Sequence, residues 1–398
     1  MWSGRHVVIG VSGGIACYKS CSLVRRLTEA GARVDVVLTP GAAEFVRPVT
    51  FEALSGRPVL TSLWEPGRAL DHIRLGREAD LLIVAPATAN LLAKMANGLA
   101  DDLLTSILLA ATRPVLLAPA MNDAMYAAAA TQRNVALLVE RGVTLVGPEV
   151  GPLAEGPSDR PGRMSEPDVI MHHAARLLLG RGPLAGKRVV VTAGPTREAL
   201  DPVRFVGNPS SGKMGFHLAQ AAWHRGASVR LITGPSACPA PIGPVIERIV
   251  TTAELKHAVG SALPETDVLI MAAAPADFRP GQPLEGKRPR SAGPLVVNLS
   301  PTDDILVSTR DLRKAGSLVV GFALETGDGV AKAREKLARK GLDLIVVNDA
   351  LEPGAGFEVD TNRVTILDRE GGRWEVPLAS KDRVAAEILT RVEARLGV

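Results

Sequence analysis

Apolar residues run along this chain in short, unbroken stretches set between helical patterns. HVVIGVS (6–12), ARVDVVLT (32–39), ADLLIVAPA (79–87) and PVLLAPA (114–120) all have the length of a strand. Continuous Val/Ile/Leu runs, rather than strict alternation, predict strands covered on both faces. Ile15 to Ala30 reads as a helix, and a helix follows each of the later strands; Leu103 to Met121 reads as a buried helix and then a strand. Strand–helix alternation implies parallel sheet with right-handed crossovers. After a helix over 167–179, Gly, Pro and Lys cluster in GRGPLAGK (180–187), and KRVVVTAGPT restarts the scheme. AGARVDVVLT (30–39) is echoed by RGASVRLITG (225–234), each looking like the end of a helix and the second strand of a βαβ unit. The second half carries extra length between its first strand and that echo, in REALDPVRFVGNPSSGKMG. A long loop at the carboxyl end of a parallel strand lies where open α/β sheets bind ligands. VLIMAAAPADF (268–278), SLVVGFALE (317–325) and LDLIVVND (342–349) continue the strands, before a hairpin (363–377) and a helix (381–396). The expected fold is therefore two α/β domains, each a doubly wound parallel sheet of the Rossmann-like kind, over 1–182 and 183–398.

Composition narrows the function classes. Of 398 residues, 46% are hydrophobic and 22% charged, enough apolar surface for sizeable cores and against disorder. Aromatics are only 3%, too few for a platform that stacks single-stranded nucleic acid. The 46 basic and 42 acidic residues leave +4, without a basic run that would mark a nucleic-acid tail. Cys17, Cys21 and Cys238 are too scattered for a disulfide framework, and no Cys/His pair follows Cys17 and Cys21 to complete a zinc site. A reducing, cytoplasmic setting is expected. The N-terminal apolar run is short and broken by glycine, unlike a signal peptide. No stretch offers the ~20 apolar residues of a membrane span.

Polar groups fall at the ends of most expected strands. GVSGG (10–14) follows the first strand and opens a helix, where backbone N–H groups and the helix dipole suit a phosphate. The same residues fit a GxSxG nucleophile elbow, or a glycine turn without a ligand. GNPSSGKM (207–214) approaches a P-loop, but Met214 stands where Ser or Thr would ligate magnesium, and no obvious strand leads into Gly207. Ser210, Ser211 and Lys213 remain candidates for an anion, or Ser210 or Ser211 for a helix cap. APATANL (85–91) offers Thr88 or Asn90 as a cap; PAMN (119–122) ends in an amide suited to orienting a carboxylate. His72 in DHIRLG, Asp277 after AAAPA and the basic EGKRPR (285–290) complete the candidates.

GVSGGIACYK, HIRLG, APATAN, PAMN and GRM together resemble the flavin-dependent cysteine decarboxylase family. TAGPTREALDPVRFVGNPSSGKMG, AAAPADF, GFALET and VVND resemble the phosphopantothenate–cysteine ligases. Their order resembles the bacterial bifunctional family of coenzyme A biosynthesis and covers essentially the whole chain. The resemblance implies a flavodoxin-like first domain that binds FMN through Ser12, Gly13, Gly14, Thr39, Thr88, Ala89 and Asn90. His72 matches the active-site histidine and Asn122 the carboxylate-binding asparagine. FMN would oxidise the thiol of 4′-phosphopantothenoylcysteine to a thioaldehyde, giving carbon dioxide loss an electron sink. Reduction of the resulting enethiol then needs hydride and a proton.

The second domain, by resemblance, activates 4′-phosphopantothenate with CTP and Mg2+ as an acyl-cytidylate, from which the cysteine amine displaces CMP. Asp277, Lys287, Phe322, Lys336 and Lys340 match CTP contacts, and Thr302, Asp303, Asp304 and Ile305 match a nucleotide-contacting turn. Asn208 matches the asparagine that carries the acyl-cytidylate to product. The metal ligands are not implied. The family pattern further implies a homo-oligomer, with flavin domains in trimers and ligase domains in dimers and sites completed across interfaces. One departure stands out. The family donates its proton from a cysteine just before GRM; here GPLAEGPSDRPGRM (151–164) has Glu155 at that place. Three readings follow: Glu155 donates instead; a water or Cys17 donates; or the flavin half stops at the enethiol and the chain is in effect a ligase. A flavodoxin-like electron carrier fused to a dinucleotide-binding module is the competing class, and it lacks a GxGxxG at either domain start.

Overall fold

The computed structural model describes residues 1–325, 329–349 and 359–397. Thr326 of the GFALET motif lies outside the described residues. The chain divides into two units, Met1–Leu178 and Leu179–Val398. Among the described residues no helix is long and apolar enough to cross a membrane.

In the first unit, β1 (His6–Val11), β2 (Arg33–Leu38), β3 (Leu81–Ala87), β4 (Val115–Pro119) and β5 (Thr144–Leu145) form one sheet in the order β2-β1-β3-β4-β5. Every neighbouring pair is parallel. All residues of β1, β3 and β4 are buried, as their unbroken apolar runs require. Successive residues feed opposite faces. Val7 and Ile9 join Leu23 and Leu27 in one core, while Val8 joins Leu75 and Leu104 in the other. This strand order is that of flavodoxin-like sheets, whose switch point lies between β1 and β3.

The second unit holds β6 (Arg188–Ala193), β7 (Ser228–Thr233), β8 (Val245–Arg248), β9 (Val268–Met271), β10 (Leu318–Glu325), β11 (Leu344–Asp349), β12 (Thr361–Asp368) and β13 (Arg373–Ser380). Their order is β8-β7-β6-β9-β10-β11-β12-β13. The first six are parallel in the Rossmann order, and the expected hairpin adds β12 and β13 antiparallel at one edge. The sheet is thus mixed rather than wholly parallel. Two cores again cover its faces, one built on the helices Lys213–His224 and Lys381–Leu396.

The long insertion is not featureless. Glu198–Ala199 pairs antiparallel with Phe205–Val206, so a two-residue strand does lead into Gly207. It belongs to a local hairpin and not to the main sheet, so the P-loop geometry remains absent. The helix after it is capped by Gly212 at φ 80°, not by Ser210 or Ser211. Those hydroxyls instead accept from the N–H groups of Gly212 and Lys213, at 3.3 and 3.4 Å.

A largely buried polar cluster ties β1 to β2. His6 Nε2 meets Asp35 Oδ2 at 2.7 Å, and Arg57 Nε donates to Asp35 Oδ1 at 2.6 Å. Burial pushes the Asp35 carboxyl up, but the hydrogen bonds from His6 and Arg57 and the Arg57 charge outweigh it and hold it at about 2. A native carboxyl depressed from 3.8 to about 2 contributes about 2 kcal/mol at neutral pH. That contribution is complete above about pH 4 and is lost as pH falls from there through about 2. Asp35→Asn is therefore expected to lower the urea midpoint at pH 7 and to flatten the acid side of the stability profile. Parallel pH profiles for the two proteins would contradict this account.

Candidate functional site

The carboxyl ends of β1 to β4 surround a cavity of about 950 Å³. It is lined by Ser12, Gly13, Gly14, Thr39, Thr88, Ala89, Asn90, Asn122 and Glu155, among others. Each side chain is set by local structure. The Ser12 hydroxyl, buried after β1, donates to the Pro86 carbonyl at 2.8 Å and accepts the Thr88 N–H at 3.0 Å. Thr88 caps the helix Ala89–Asn97 by accepting from Leu91 N–H at 3.3 Å, as its place after β3 suggested. Thr39 caps the short helix Pro40–Ala43 through Ala42 N–H. A Cβ on Gly13 would lie 2.6 Å from the Gly41 carbonyl carbon, so only glycine lets these two turns meet. Backbone N–H groups of the Ser12–Gly14 turn precede the helix Cys17–Glu29, a setting suited to a phosphate.

Asn122 caps the helix Asp123–Ala127. Its Oδ1 accepts from Ala124 and Met125 N–H at 2.8 and 3.3 Å, which turns Nδ2 towards the carboxylate of Glu155, to which it donates. The segment bearing Glu155 is tethered on its C-terminal side at two points. Ser158 donates to Asp123 at 2.6 Å, and Gly162 accepts from Met121 N–H at 3.0 Å. Lys19, buried on the first helix, donates to the Met164 carbonyl at 2.9 Å and pairs with Glu166 at 2.8 Å.

Two candidates for this half lie outside the lining. Cys17 does not line the cavity. Its buried thiol donates to the Ser12 carbonyl at 3.3 Å, and burial pushes its pKa up. It is not placed to give a proton there. His72, on the helix Asp71–Glu78, is also outside the cavity lining; its Nδ1 is buried without a hydrogen-bond partner. Lys19, Lys94, Asp101, Asp102 and Arg163 line the cavity and were not anticipated. Lys94 was findable, because it follows Asn90 by four residues on one helix face. Lys19 bonds residues about 145 positions away, which local pattern does not reveal.

In the second unit Asn208 and Asp277 follow β6 and β9, Phe322 lies within β10, and Lys336 and Lys340 lie on the helix Gly329–Lys340. Asn208 Nδ2 donates to the Pro275 carbonyl at 2.9 Å, two residues before Asp277. Thr302 N–H donates to the Asp277 carbonyl at 2.9 Å. Asp304 caps the helix Ile305–Ser308 and pairs with Lys340 at 2.8 Å; Ile305 is buried. Burial pushes the Asp304 carboxyl up, but Lys340 outweighs it and holds it below its usual range. Asp303 pairs with Lys256 at 2.8 Å, and Lys336 Nζ donates to the Phe322 carbonyl at 3.2 Å. Lys287 is exposed beyond the strand Phe278–Pro280 and makes none of these contacts.

Two family models match the chain. A family model described as Flavoprotein matches residues 1–179. One described as DNA/pantothenate metabolism flavoprotein C-terminal domain matches residues 184–396. The chain is 45% identical to the "Coenzyme A biosynthesis bifunctional protein CoaBC" of Bacillus subtilis (strain 168), over 99% of this chain and 98% of that protein. A solved C-terminal domain of a protein of that name is 37% identical over 54% of this chain and 98% of its own, with a TM-score of 0.47. The FMN binding protein AtHal3 is 35% identical over 42% of this chain and 92% of its own, with a TM-score of 0.37. With flavoprotein and ligase-type halves in one chain and full-length relatives on both, the chain belongs to the family of bifunctional coenzyme A biosynthesis proteins.

Proposed function

We propose that residues 183–398 join 4′-phosphopantothenate to cysteine at the expense of CTP, and that residues 1–182 decarboxylate the product with FMN to 4′-phosphopantetheine. The observation that carries the reading is the convergence on one cavity of nine residues that the resemblance implied for the flavin half. Its volume, about 950 Å³, is ample for a flavin nucleotide and part of a substrate.

For the flavin half, Ser12, Gly13, Gly14 and Thr39 are assigned to the phosphate side of FMN, and Thr88, Ala89 and Asn90 to the remainder. These residues would hold FMN, which when bound would supply a two-electron sink for oxidation of the thiol and the hydride needed after carbon dioxide loss. Asn122 Nδ2 then orients the substrate carboxylate by donation, a role an amide fills without charge. We assign His72 to the cavity of a neighbouring copy. Its flank supports that reading, since Trp64 and Leu70 are 89% and 72% exposed, as in surfaces that meet a partner. Trimeric flavin domains and dimeric ligase domains fit this assignment.

For the ligase half, the substrate carboxylate attacks CTP to form the acyl-cytidylate and release pyrophosphate; the cysteine amine then displaces CMP. Asp277, Lys287, Thr302, Asp303, Asp304, Ile305, Phe322, Lys336 and Lys340 are assigned to CTP. Mg2+ is assigned to its phosphates rather than to a protein cluster. Asn208 donates to the acyl oxygen as charge develops there.

Glu155 is assigned as the donor of the last proton, to the carbon that lost carbon dioxide, next to the sulfur-bearing carbon that receives hydride. Its contact with Asn122 supports this, because Asn122 also holds the group that leaves. General-acid loss costs on the order of 100-fold or more. In aerated buffer, where dissolved oxygen re-oxidises the flavin, Glu155→Gln is thus expected to keep releasing carbon dioxide while the enethiol builds up and 4′-phosphopantetheine falls by about 100-fold. Wild-type turnover in Glu155→Ala would remove the residue from the mechanism.

A further inference from the structure

We infer that Thr196 is a positioning residue for the ligase reaction, setting through its hydroxyl the turn Ala274–Asp277 that carries Asp277 and holds Asn208. The inference rests on the ligase reading above. This turn has almost every backbone polar group engaged by a different segment. Ala274 N–H donates to the Gly194 carbonyl at 2.9 Å. The Pro275 carbonyl accepts from Asn208 Nδ2 at 2.9 Å. Ala276 N–H donates to Thr196 Oγ1 at 2.8 Å, and its carbonyl accepts from the Thr302 hydroxyl at 2.6 Å. The Asp277 carbonyl accepts from Thr302 N–H at 2.9 Å.

Thr196 differs from the other holders in what lies behind it. Its Oγ1 is 2.9 Å from Thr252 Oγ1, and the Thr252 hydroxyl is 2.9 Å from Glu198 Oε1. The same Glu198 oxygen accepts Thr252 N–H at 2.8 Å. All three side chains are buried, Thr196 at 0%, Thr252 at 3% and Glu198 at 5% exposure. A carboxylate oxygen only accepts. Thr252 therefore donates to Glu198 and accepts from the Thr196 hydroxyl. Thr196 is left with lone pairs alone on the side facing Ala276, which suits the amide it meets. The carboxylate thus fixes the direction of a two-hydroxyl relay that ends on the residue before Asp277.

Thr196 also borders the Asn208 side. A Cβ on Gly207 would lie 2.5 Å from the Thr196 carbonyl oxygen, so the backbone leading to Asn208 packs directly on that residue. Thr196 therefore joins the turn bearing Asp277 to the buried carboxylate through its side chain, and borders the approach to Asn208 through its backbone. No charge or nucleophile of its own is required; its effect passes through the two groups it places.

Thr196→Val keeps the shape, removes the relay and strands the Ala276 N–H. The full chain, assayed with 4′-phosphopantothenate, cysteine, CTP and Mg2+, is expected to lose about tenfold in ligase kcat, with Thr196→Ser recovering to within about twofold of wild type. Released acyl-cytidylate should rise relative to finished product, because Asn208 is displaced from the second step. Decarboxylation of supplied 4′-phosphopantothenoylcysteine should not change. Assays are run below the melting transition of each variant, and Thr196→Ala, which adds no bulk, should repeat the shift in partition. Wild-type kcat and partition in Thr196→Val and Thr196→Ala would overturn the inference. So would a loss that Thr196→Ser shares in full and that follows only the folded fraction. A wild-type chain forming no acyl-cytidylate would instead overturn the ligase reading itself.

Discussion

Gly13→Ala is expected to purify colourless and to halt the reaction sequence at 4′-phosphopantothenoylcysteine. The added methyl would stand 2.6 Å from the Gly41 carbonyl carbon and 2.7 Å from its oxygen. Neither is the end of a flexible side chain, so one of the two turns must move. Both turns belong to the proposed phosphate side of the flavin. A displacement of about 1 Å at a positioned group costs on the order of 100-fold. Flavin retained through gel filtration, read from visible absorbance, should fall by at least about tenfold. Ligation should continue at the wild-type rate, because the second unit has its own sheet and its own two cores. A yellow, decarboxylating Gly13→Ala protein would contradict the cradle.

Asn208→Asp is the counterpart in the ligase half. The change replaces the Nδ2 donor with an acceptor and sets it against the Pro275 carbonyl at 2.9 Å, where two oxygens repel. It also places negative charge where an acyl oxygen is to become negative. Loss of one such donor costs on the order of 100- to 1,000-fold in kcat. Product should fall by about that factor, with acyl-cytidylate still detectable, since activation by CTP does not use this amide. Decarboxylation of supplied 4′-phosphopantothenoylcysteine should remain at the wild-type rate. Equal loss of both half-reactions would move Asn208 from the second step to nucleotide binding.

The two sheets were legible because their central strands are buried on both faces, and burial on both faces writes itself as unbroken apolar sequence. The helices over 167–179 and 381–396 were equally plain, being long and bounded by polar or Gly/Pro residues. What local pattern missed was built from distant partners. His6, Asp35 and Arg57 look like ordinary polar residues until two parallel strands bring them together. The Glu198–Ala199 and Phe205–Val206 hairpin is too short for any periodicity to register. Ser210 and Ser211 had the composition of a cap, but a glycine in left-handed conformation took the position. At the sites, residues at the ends of strands were found because strand ends are where such sheets expose polar groups. Thr196 and Glu198 belong to the TAGPTREALDPVRF stretch, yet their role depends on Thr252 and Ala276, each more than 50 positions away.

The most direct test gives wild type, Gly13→Ala and Asn208→Asp the same mixture of 4′-phosphopantothenate, cysteine, CTP and Mg2+, and resolves the products by mass spectrometry over time. The account predicts 4′-phosphopantetheine from wild type, 4′-phosphopantothenoylcysteine alone from Gly13→Ala, and unligated substrate with traces of acyl-cytidylate from Asn208→Asp. Wild-type protein that accumulates 4′-phosphopantothenoylcysteine without releasing carbon dioxide, or that consumes no CTP, would contradict it.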